Sequence, residues 1–265
     1  MQQAEDFREE TRILAELLDP LPDATFQTVT QFKGWTIDDV LGHLHFFNHG
    51  ARQCVADPAD AASLIDSLKD KMASGASILD LQTEFLDGLS GRKLFAEWLT
   101  LSEDLADVYA AADPKTRIQW FGPSMSARSS ITARQMEVWA HGQEVFDILG
   151  ATRSESDRIR NIVILGLNAF GWTFTVHGVA VPEAMPQLCL IAPSGAEWEW
   201  RDTASSDRIE GLAVDFARVV TQTRNIADTG LSVQGPDATR WMAIAQCFAG
   251  GPEIPPPPGA RHRVY

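Results

Sequence analysis

Cysteine is scarce in this sequence, and its three copies lie far apart. Cys54, Cys189 and Cys247 form no CxxC pair in the 265 residues. This spacing excludes a disulfide framework and a zinc knuckle, and it fits a reducing compartment. No apolar run approaches the roughly 20 residues that a membrane-spanning helix needs. The first twenty residues carry eight charged side chains, which is not the composition of a signal peptide. These absences predict a soluble cytoplasmic protein.

Positive charge is also in short supply. The chain has 22 lysines and arginines against 36 aspartates and glutamates, which gives a formal net charge of -14. An acidic surface repels nucleic-acid phosphates and anionic lipids, so neither a nucleic acid nor a membrane is expected as a partner. Apolar residues make up 45% of the chain, enough for a buried core. We expect a globular protein that acts on a small-molecule substrate, with a homodimer left open.

Hydrophobic periodicity divides the chain into two parts. Residues 1–150 carry apolar side chains at helical spacing and predict a helical bundle, with helices at 4–18, from Thr36, at 59–73, 77–88, from Ser90 and at 130–149. Residues 151–252 predict a small α+β domain, with helices at 155–176, 211–223 and 238–248 and strands at 188–191, 197–201 and 231–233. Residues 253–265 form a proline-rich tail, expected to be loosely ordered. The predicted fold class is α+β.

The helix that begins at Thr36 has a well-marked start. Thr36 can cap its N-terminus, and Asp39 is placed to complete a capping box. At about 100° per residue, His43 lies at the edge of the apolar stripe and points into the bundle. His45 and His49 fall outside that stripe, and we expect both to face solvent. His43 is therefore the histidine of this helix that can meet a group on another helix.

Glu137 and His141 lie four residues apart on the helix at 130–149, so both side chains occupy one face. A carboxylate and an imidazole placed in this way can converge on one divalent metal, with His43 as the third ligand. A metal would also offset the free-energy cost of an inward carboxylate. The alternative is a simple contact between Glu137 and His141, with Arg134 paired to the carboxylate. Two histidines and one glutamate leave an open coordination position, which is typical of a Lewis-acid centre.

Neighbouring residues are assigned supporting roles. His45 and His49 form a rival pair at the same spacing, but off the apolar side. Glu144 follows His141 by three residues, and we expect it to accept a hydrogen bond that orients a ligating histidine; a fourth ligand and a solvated charge are the alternatives. Arg134 and Glu144 are predicted to set the charge and orientation of the pair, and both are counted as catalytic. Trp35 is assigned to cofactor binding, with core packing as the alternative.

Two segments carry a resemblance to a known family. Residues 34–44 and 134–144 are similar to the two metal-binding helices of the mycothiol-dependent maleylpyruvate isomerase family, within the DinB/YfiT-like superfamily. Residues 209–216 and 235–241 resemble segments of its second domain. The resemblance implies a DinB-like four-helix bundle followed by a small α+β domain, with a divalent metal, usually zinc, held by His43, Glu137 and His141. It also implies an arginine near a thiol, for which Arg201 and Arg224 are candidates.

Three functions follow as hypotheses. The first is a metal-dependent enzyme in which a low-molecular-weight thiol such as mycothiol attacks a small electrophilic or unsaturated acid, for isomerisation or transfer. Arg201 or Arg224 would supply a cation for the substrate carboxylate; the former is assigned to cofactor binding and the latter to catalysis. The second is a thiol-independent hydrolase or lyase, with Glu144 or His45 as general base. The third is a non-catalytic module with a structural metal.

Overall fold

The computed structural model of the chain describes residues 1–120, 124–201 and 203–264. It divides into two units, Met1–Ile148 and Leu149–Tyr265. The first is helical apart from a short strand pair, and the second combines helices with a four-stranded sheet. This arrangement confirms the predicted α+β class.

Four long helices build the first unit. They are α1 (Gln2–Leu18), α2 (Ile37–Ala56), α5 (Gly91–Ala111) and α6 (Ala127–Ile148), with α3 (Pro58–Ala73) and α4 (Ile78–Leu86) packed on α2. The pairs α1–α6, α2–α5, α1–α5 and α2–α6 are in contact. Strands β1 (Arg117–Ile118) and β2 (Met125–Ser126) pair antiparallel before α6. The fully buried rings of Trp98, Tyr109 and Trp139 lie in the core.

Local hydrogen bonds fix where the two functional helices begin. The Asp39 backbone N–H donates to Thr36 Oγ1 at 3.1 Å, and the Thr36 N–H donates to Asp39 Oδ2 at 2.8 Å. The capping box predicted at Thr36 is therefore confirmed. Helix α6 begins at Ala127 rather than at 130. There the Ser129 N–H donates to Ser126 Oγ at 3.1 Å, a capping bond that sequence analysis missed.

The prediction that His45 faces solvent is wrong. Its side chain is buried, with its ring centroid 5.8 Å from that of Phe85 on α4. The half-buried His49 lies 5.0 Å from the same ring. Helical periodicity identifies the face of α2 that packs into the bundle. It does not show that α4 covers a second face of the same helix. Burial lowers the pKa of His45 to about 4.

The sheet of the second unit has the strand order β4-β3-β5-β6. Strand β3 (Gln187–Ile191) pairs antiparallel with β4 (Glu197–Trp200) and parallel with β5 (Arg208–Leu212), which pairs antiparallel with β6 (Ser232–Gln234). Helices α7 (Arg160–Asn168), α8 (Phe170–Val176), α9 (Ala213–Val220) and α10 (Pro236–Ile244) complete the unit. Strand β5 was not predicted, and it takes the first two residues of the helix expected at 211–223. Its pairing with β3 is non-local, so periodicity within the segment could not indicate it.

The helix predicted at 155–176 is interrupted. After a short 3₁₀ turn at Asp157–Ile159, α7 ends at Asn168 and α8 begins at Phe170. Among the described residues, no single helix combines the length and apolar composition needed to span a membrane. Within the described ranges, that length and apolar composition are met only by two consecutive helical segments taken together, Asp157–Asn168 and Phe170–Val176, which are bent by 50° relative to each other.

The proline-rich tail is held by hydrogen bonds within the second unit, unlike the loosely ordered segment expected. Asn225 Nδ2 donates to the Pro256 carbonyl at 2.8 Å, and an Arg261 guanidinium N–H donates to the Gln222 carbonyl at 2.7 Å. Prolines leave carbonyl acceptors without matching N–H donors, and here a side-chain amide supplies one donor. Composition alone does not reveal such partners.

Candidate metal centre

Helices α2 and α6 bring His43, Glu137 and His141 to one point. His141 Nε2 lies 3.2 Å from Glu137 Oε2, and His43 Nε2 lies 3.7 Å from the same oxygen. One potential ligand atom from each residue falls within 4.8 Å of the others. All three side chains retain some exposure, between 11% and 19%. The arrangement is thus a nearly buried group of three donors that keeps some contact with solvent.

The donor set fits a zinc-sized ion. Zinc binds imidazole nitrogen and carboxylate oxygen at roughly 2.0–2.2 Å, and tetrahedral angles then separate neighbouring ligand atoms by about 3.4 Å. The observed separations of 3.2 and 3.7 Å lie on either side of that value. Two imidazoles and one carboxylate leave a fourth position for a small molecule. These residues could therefore hold a divalent metal in an open site.

Protonation states also suit metal binding. Burial is the largest influence on His43 and lowers its pKa to about 4. Burial alone would raise the pKa of Glu137, but contacts with His141 and His43 and the charge of Arg134 outweigh it and hold that pKa well below its ordinary value. At neutral pH, His43 is therefore a neutral imidazole and Glu137 a carboxylate, the forms that ligate metals.

Arg134 supports the carboxylate from the side opposite the histidines. Its Nη2 lies 3.5 Å from Glu137 Oε1, whereas the histidines face Oε2. The guanidinium lies over the rings of Phe47 and Trp120, at 5.5 and 5.6 Å from their centroids. With a side chain only 6% exposed, Arg134 is held in place on three sides. This geometry describes a positioning residue, and its catalytic role stays a prediction.

Aromatic rings enclose the two histidines. Trp35 lies 5.3 Å from the His43 ring and stacks on His141 at 6.2 Å with an interplanar angle of 10°. Phe47 lies 4.7 Å from His43, and Phe32 meets His141 edge-on at 5.0 Å. These rings restrict the imidazole orientations and limit water around the site. The place of Trp35 beside both histidines is compatible with its predicted cofactor contact, which stays a prediction.

Phe32 is a site residue that sequence analysis missed. It lies in a turn before α2, where the Trp35 N–H donates to the Phe32 carbonyl at 2.9 Å. Lys33 and Gly34 occupy the left-handed region of backbone space, with φ of 50° and 72°. The pair Lys33-Gly34 was a signal for a turn, but no periodic pattern could show which aromatic ring the turn directs at His141.

Glu144 is buried at 1% exposure on the same face of α6 as Glu137. Seven residues along a helix correspond to roughly 10 Å, so Glu144 lies two turns from Glu137 and one turn from His141. Its burial is incompatible with a solvated charge. The proposed role as an acceptor that orients His141 stays a prediction.

The two arginines assigned to substrate or thiol belong to the second unit. Arg201 follows β4, is 66% exposed and pairs with Glu199. An Arg224 guanidinium N–H donates to the Thr223 carbonyl at 2.7 Å. Both roles stay predictions.

A second group of potential ligands lies on the exposed side of the sheet, formed by Cys189, Glu197 and Glu199. Cys189 Sγ donates to Glu197 Oε1 at 3.1 Å, and this contact is the largest cause that raises the Cys189 pKa to about 11. A thiol that remains protonated among exposed carboxylates is a weaker metal site than the donors on α2 and α6.

Comparison with known proteins identifies relatives of both sequence and fold. Residues 7–146 match the mycothiol maleylpyruvate isomerase N-terminal domain family. Two uncharacterized proteins of Mycobacterium tuberculosis, from strains CDC 1551 and H37Rv, are each 35% identical over 247 residues, covering 93% of this chain and 95% of theirs. The crystal structure of the mycothiol-dependent maleylpyruvate isomerase is similar in fold, with a TM-score of 0.57 at 13% identity over 89% of this chain and 94% of that one. A mutant of the same enzyme gives a TM-score of 0.51 at 14% identity and the same coverage.

Proposed function

Because the chain belongs to the mycothiol maleylpyruvate isomerase N-terminal domain family, we propose that it is a metal-dependent enzyme that uses a low-molecular-weight thiol. Its reaction is isomerisation or group transfer on a small electrophilic or unsaturated acid. The observation that carries the proposal is the convergence of His43 Nε2, His141 Nε2 and Glu137 Oε2 in a nearly buried position that keeps some solvent exposure.

A divalent metal at these donors, zinc in this proposal, supplies Lewis acidity that makes a thiol acidic enough to be a nucleophile at neutral pH. The protein contributes the protonation states and the orientation. His43 is neutral, and Glu137 is ionised and held by Arg134 at its other oxygen. Trp35 limits solvent around the two imidazoles and is the proposed contact for the thiol.

The nucleophile is proposed to come from a cofactor, and two of the chain's three thiols, Cys54 and Cys189, are poorly suited to that role. Burial raises the pKa of Cys54 to about 11. The contact with Glu197 raises the pKa of Cys189 to a similar value. Both thiols therefore stay protonated at neutral pH, where the thiolate is the reactive form. A thiol-independent hydrolase or lyase is less well supported. Of its two candidate bases, His45 packs against Phe85 and Glu144 is buried at 1% exposure, two helical turns from Glu137.

Calorimetry with the zinc-loaded full chain tests the proposal. We expect mycothiol to bind the wild type and a His262→Ala control, whose histidine is exposed in the tail. Binding should be lost in His43→Ala, which removes one donor. Glutathione and bacillithiol, titrated in parallel, report which thiol scaffold is recognised. If none of the three thiols binds the zinc-loaded wild type, the proposed function is wrong.

A further inference from the structure

An apolar cavity of about 140 Å³ lies in the first unit, between α2, α3, α4 and Trp120. Its walls include Phe47, Leu64, Phe85 and Trp120. The described residues that line it include no Asp, Glu, Lys or Arg, and its polar side chains are those of His49 and Gln53. An engineered apolar cavity of about 150 Å³ is known to stay dry and to bind benzene. The volume thus suits one aromatic ring or a branched aliphatic group.

The cavity shares a wall with the candidate metal centre. The Phe47 ring lines the cavity, and its centroid lies 4.7 Å from the His43 ring. Trp120 also lines the cavity, 6.1 Å from Phe47, and Arg134 lies over both rings. Only the thickness of one half-buried ring therefore separates the cavity from a metal ligand.

We infer that this cavity is a binding subsite for an aromatic or branched aliphatic group of the molecule that the metal centre acts on. The inference rests on the proposed function, and it narrows the substrate class to acids or electrophiles that carry such a group. A compact dicarboxylate would leave the cavity unused. The basic side chain among its described walls is His49, whose pKa burial lowers, so a carboxylate finds no permanent cation there.

Two hydroxamates test the subsite on the zinc-loaded full chain without any turnover assay. Acetohydroxamate reports the metal centre alone, and benzohydroxamate adds one ring. Burial of a ring is worth roughly tenfold to a hundredfold in affinity, so we expect benzohydroxamate to bind more tightly by that factor. Ala61→Leu, at a buried alanine that lines the cavity, should abolish the preference. Ala59→Leu, at an exposed alanine of the same helix, is the matched control and should keep it.

A second variant guards against misfolding of Ala61→Leu. A methyl group at Gly50 would meet Trp120 at an ordinary 3.7 Å, so Gly50→Ala should fold and weaken the preference. Benzene titrated into the metal-free chain should raise the melting temperature of the wild type but not that of Ala61→Leu.

The outcomes separate the two claims. If acetohydroxamate binds but the added ring gains nothing, or if the gain survives in both Ala61→Leu and Gly50→Ala, the subsite is wrong and the metal centre stands. If acetohydroxamate does not bind the wild type, the metal centre itself fails, and the subsite inference falls with it.

Discussion

Replacing Glu137 by glutamine separates the two partners that the carboxylate is proposed to serve, Arg134 and a metal. The substitution keeps the shape of the side chain and removes its charge. Arg134 is then left as a buried cation, 6% exposed, without its ion-pair partner at 3.5 Å. We therefore expect Glu137→Gln to weaken both the fold of the metal-free protein and its affinity for zinc, for two different reasons.

The size of the stability effect follows from the geometry. At 3.5 Å and an effective dielectric of about 20, the Coulomb attraction is about 5 kcal/mol as an upper bound. Removing one partner of a buried pair costs about 3–5 kcal/mol, and the residual 19% exposure of Glu137 favours the lower end. We expect about 3 kcal/mol for Glu137→Gln and a similar loss for Arg134→Met. Replacing both removes the uncompensated charge, so the double variant should lose less than either single variant, which gives a coupling of at least about 3 kcal/mol.

Urea unfolding, followed by circular dichroism, measures this coupling. It is done on the metal-free wild type, the two single variants and the double variant. Zinc titration of the same proteins gives the second readout. Zinc binding should survive in Arg134→Met and be lost in Glu137→Gln and in the double variant. A coupling below about 0.5 kcal/mol would mean that the two residues do not form a buried pair. Wild-type zinc affinity in the double variant would show that Glu137 is not a ligand.

Three further predictions concern other parts of the chain. Thr36→Ala removes the capping box of α2 and should lower the free energy of unfolding by about 1 kcal/mol, whereas Thr36→Ser should retain most of it, as urea unfolding can show. Burial raises the pKa of Tyr109 to about 12. The ordinary value is about 10, so between pH 10 and 12 the folded state keeps a proton that the unfolded state has lost. The resulting contribution to the free energy of unfolding is about 3 kcal/mol. It is complete below pH 10 and is lost as the pH rises to 12. Tyr109→Phe should flatten that alkaline limb in pH-dependent urea unfolding; an unchanged limb would contradict the assignment. Glu197→Gln should lower the pKa of Cys189 and speed its labelling by a disulfide reagent at pH 8, by up to tenfold per pKa unit recovered, while an unchanged rate would show that the carboxylate does not suppress the thiolate.

Local chemistry explains what could be predicted from the sequence. The capping box at Thr36 depends on residues within one helical turn, and it forms as expected. The spacing of Glu137 and His141 depends only on helical geometry, so their common face could be derived before any packing was known. His43 required a second helix to pack at the correct rotation, and the structure does bring its Nε2 to the shared carboxylate oxygen. That these three residues bind a metal stays a prediction.

Non-local packing explains what could not be predicted. His45 is buried because α4 packs against α2. No residue pattern within α2 indicates that contact. Strand β5 forms because β3 pairs with it, although residues 211–212 continue an amphipathic helical pattern. Phe32 reaches His141 from a turn, where rotation of one backbone angle would redirect the ring. The cavity beside Phe47 needs three helices and Trp120 together, so it has no sequence signature.

The metal content of the purified full chain tests the central claim most directly. Elemental analysis should find about one zinc per chain in the wild type and in the exposed-histidine control His262→Ala, and almost none in His43→Ala or Glu137→Ala, because two remaining donors hold the ion poorly. Circular dichroism of each variant checks that the helices remain. Full zinc occupancy in folded His43→Ala and Glu137→Ala would contradict a metal centre at these residues.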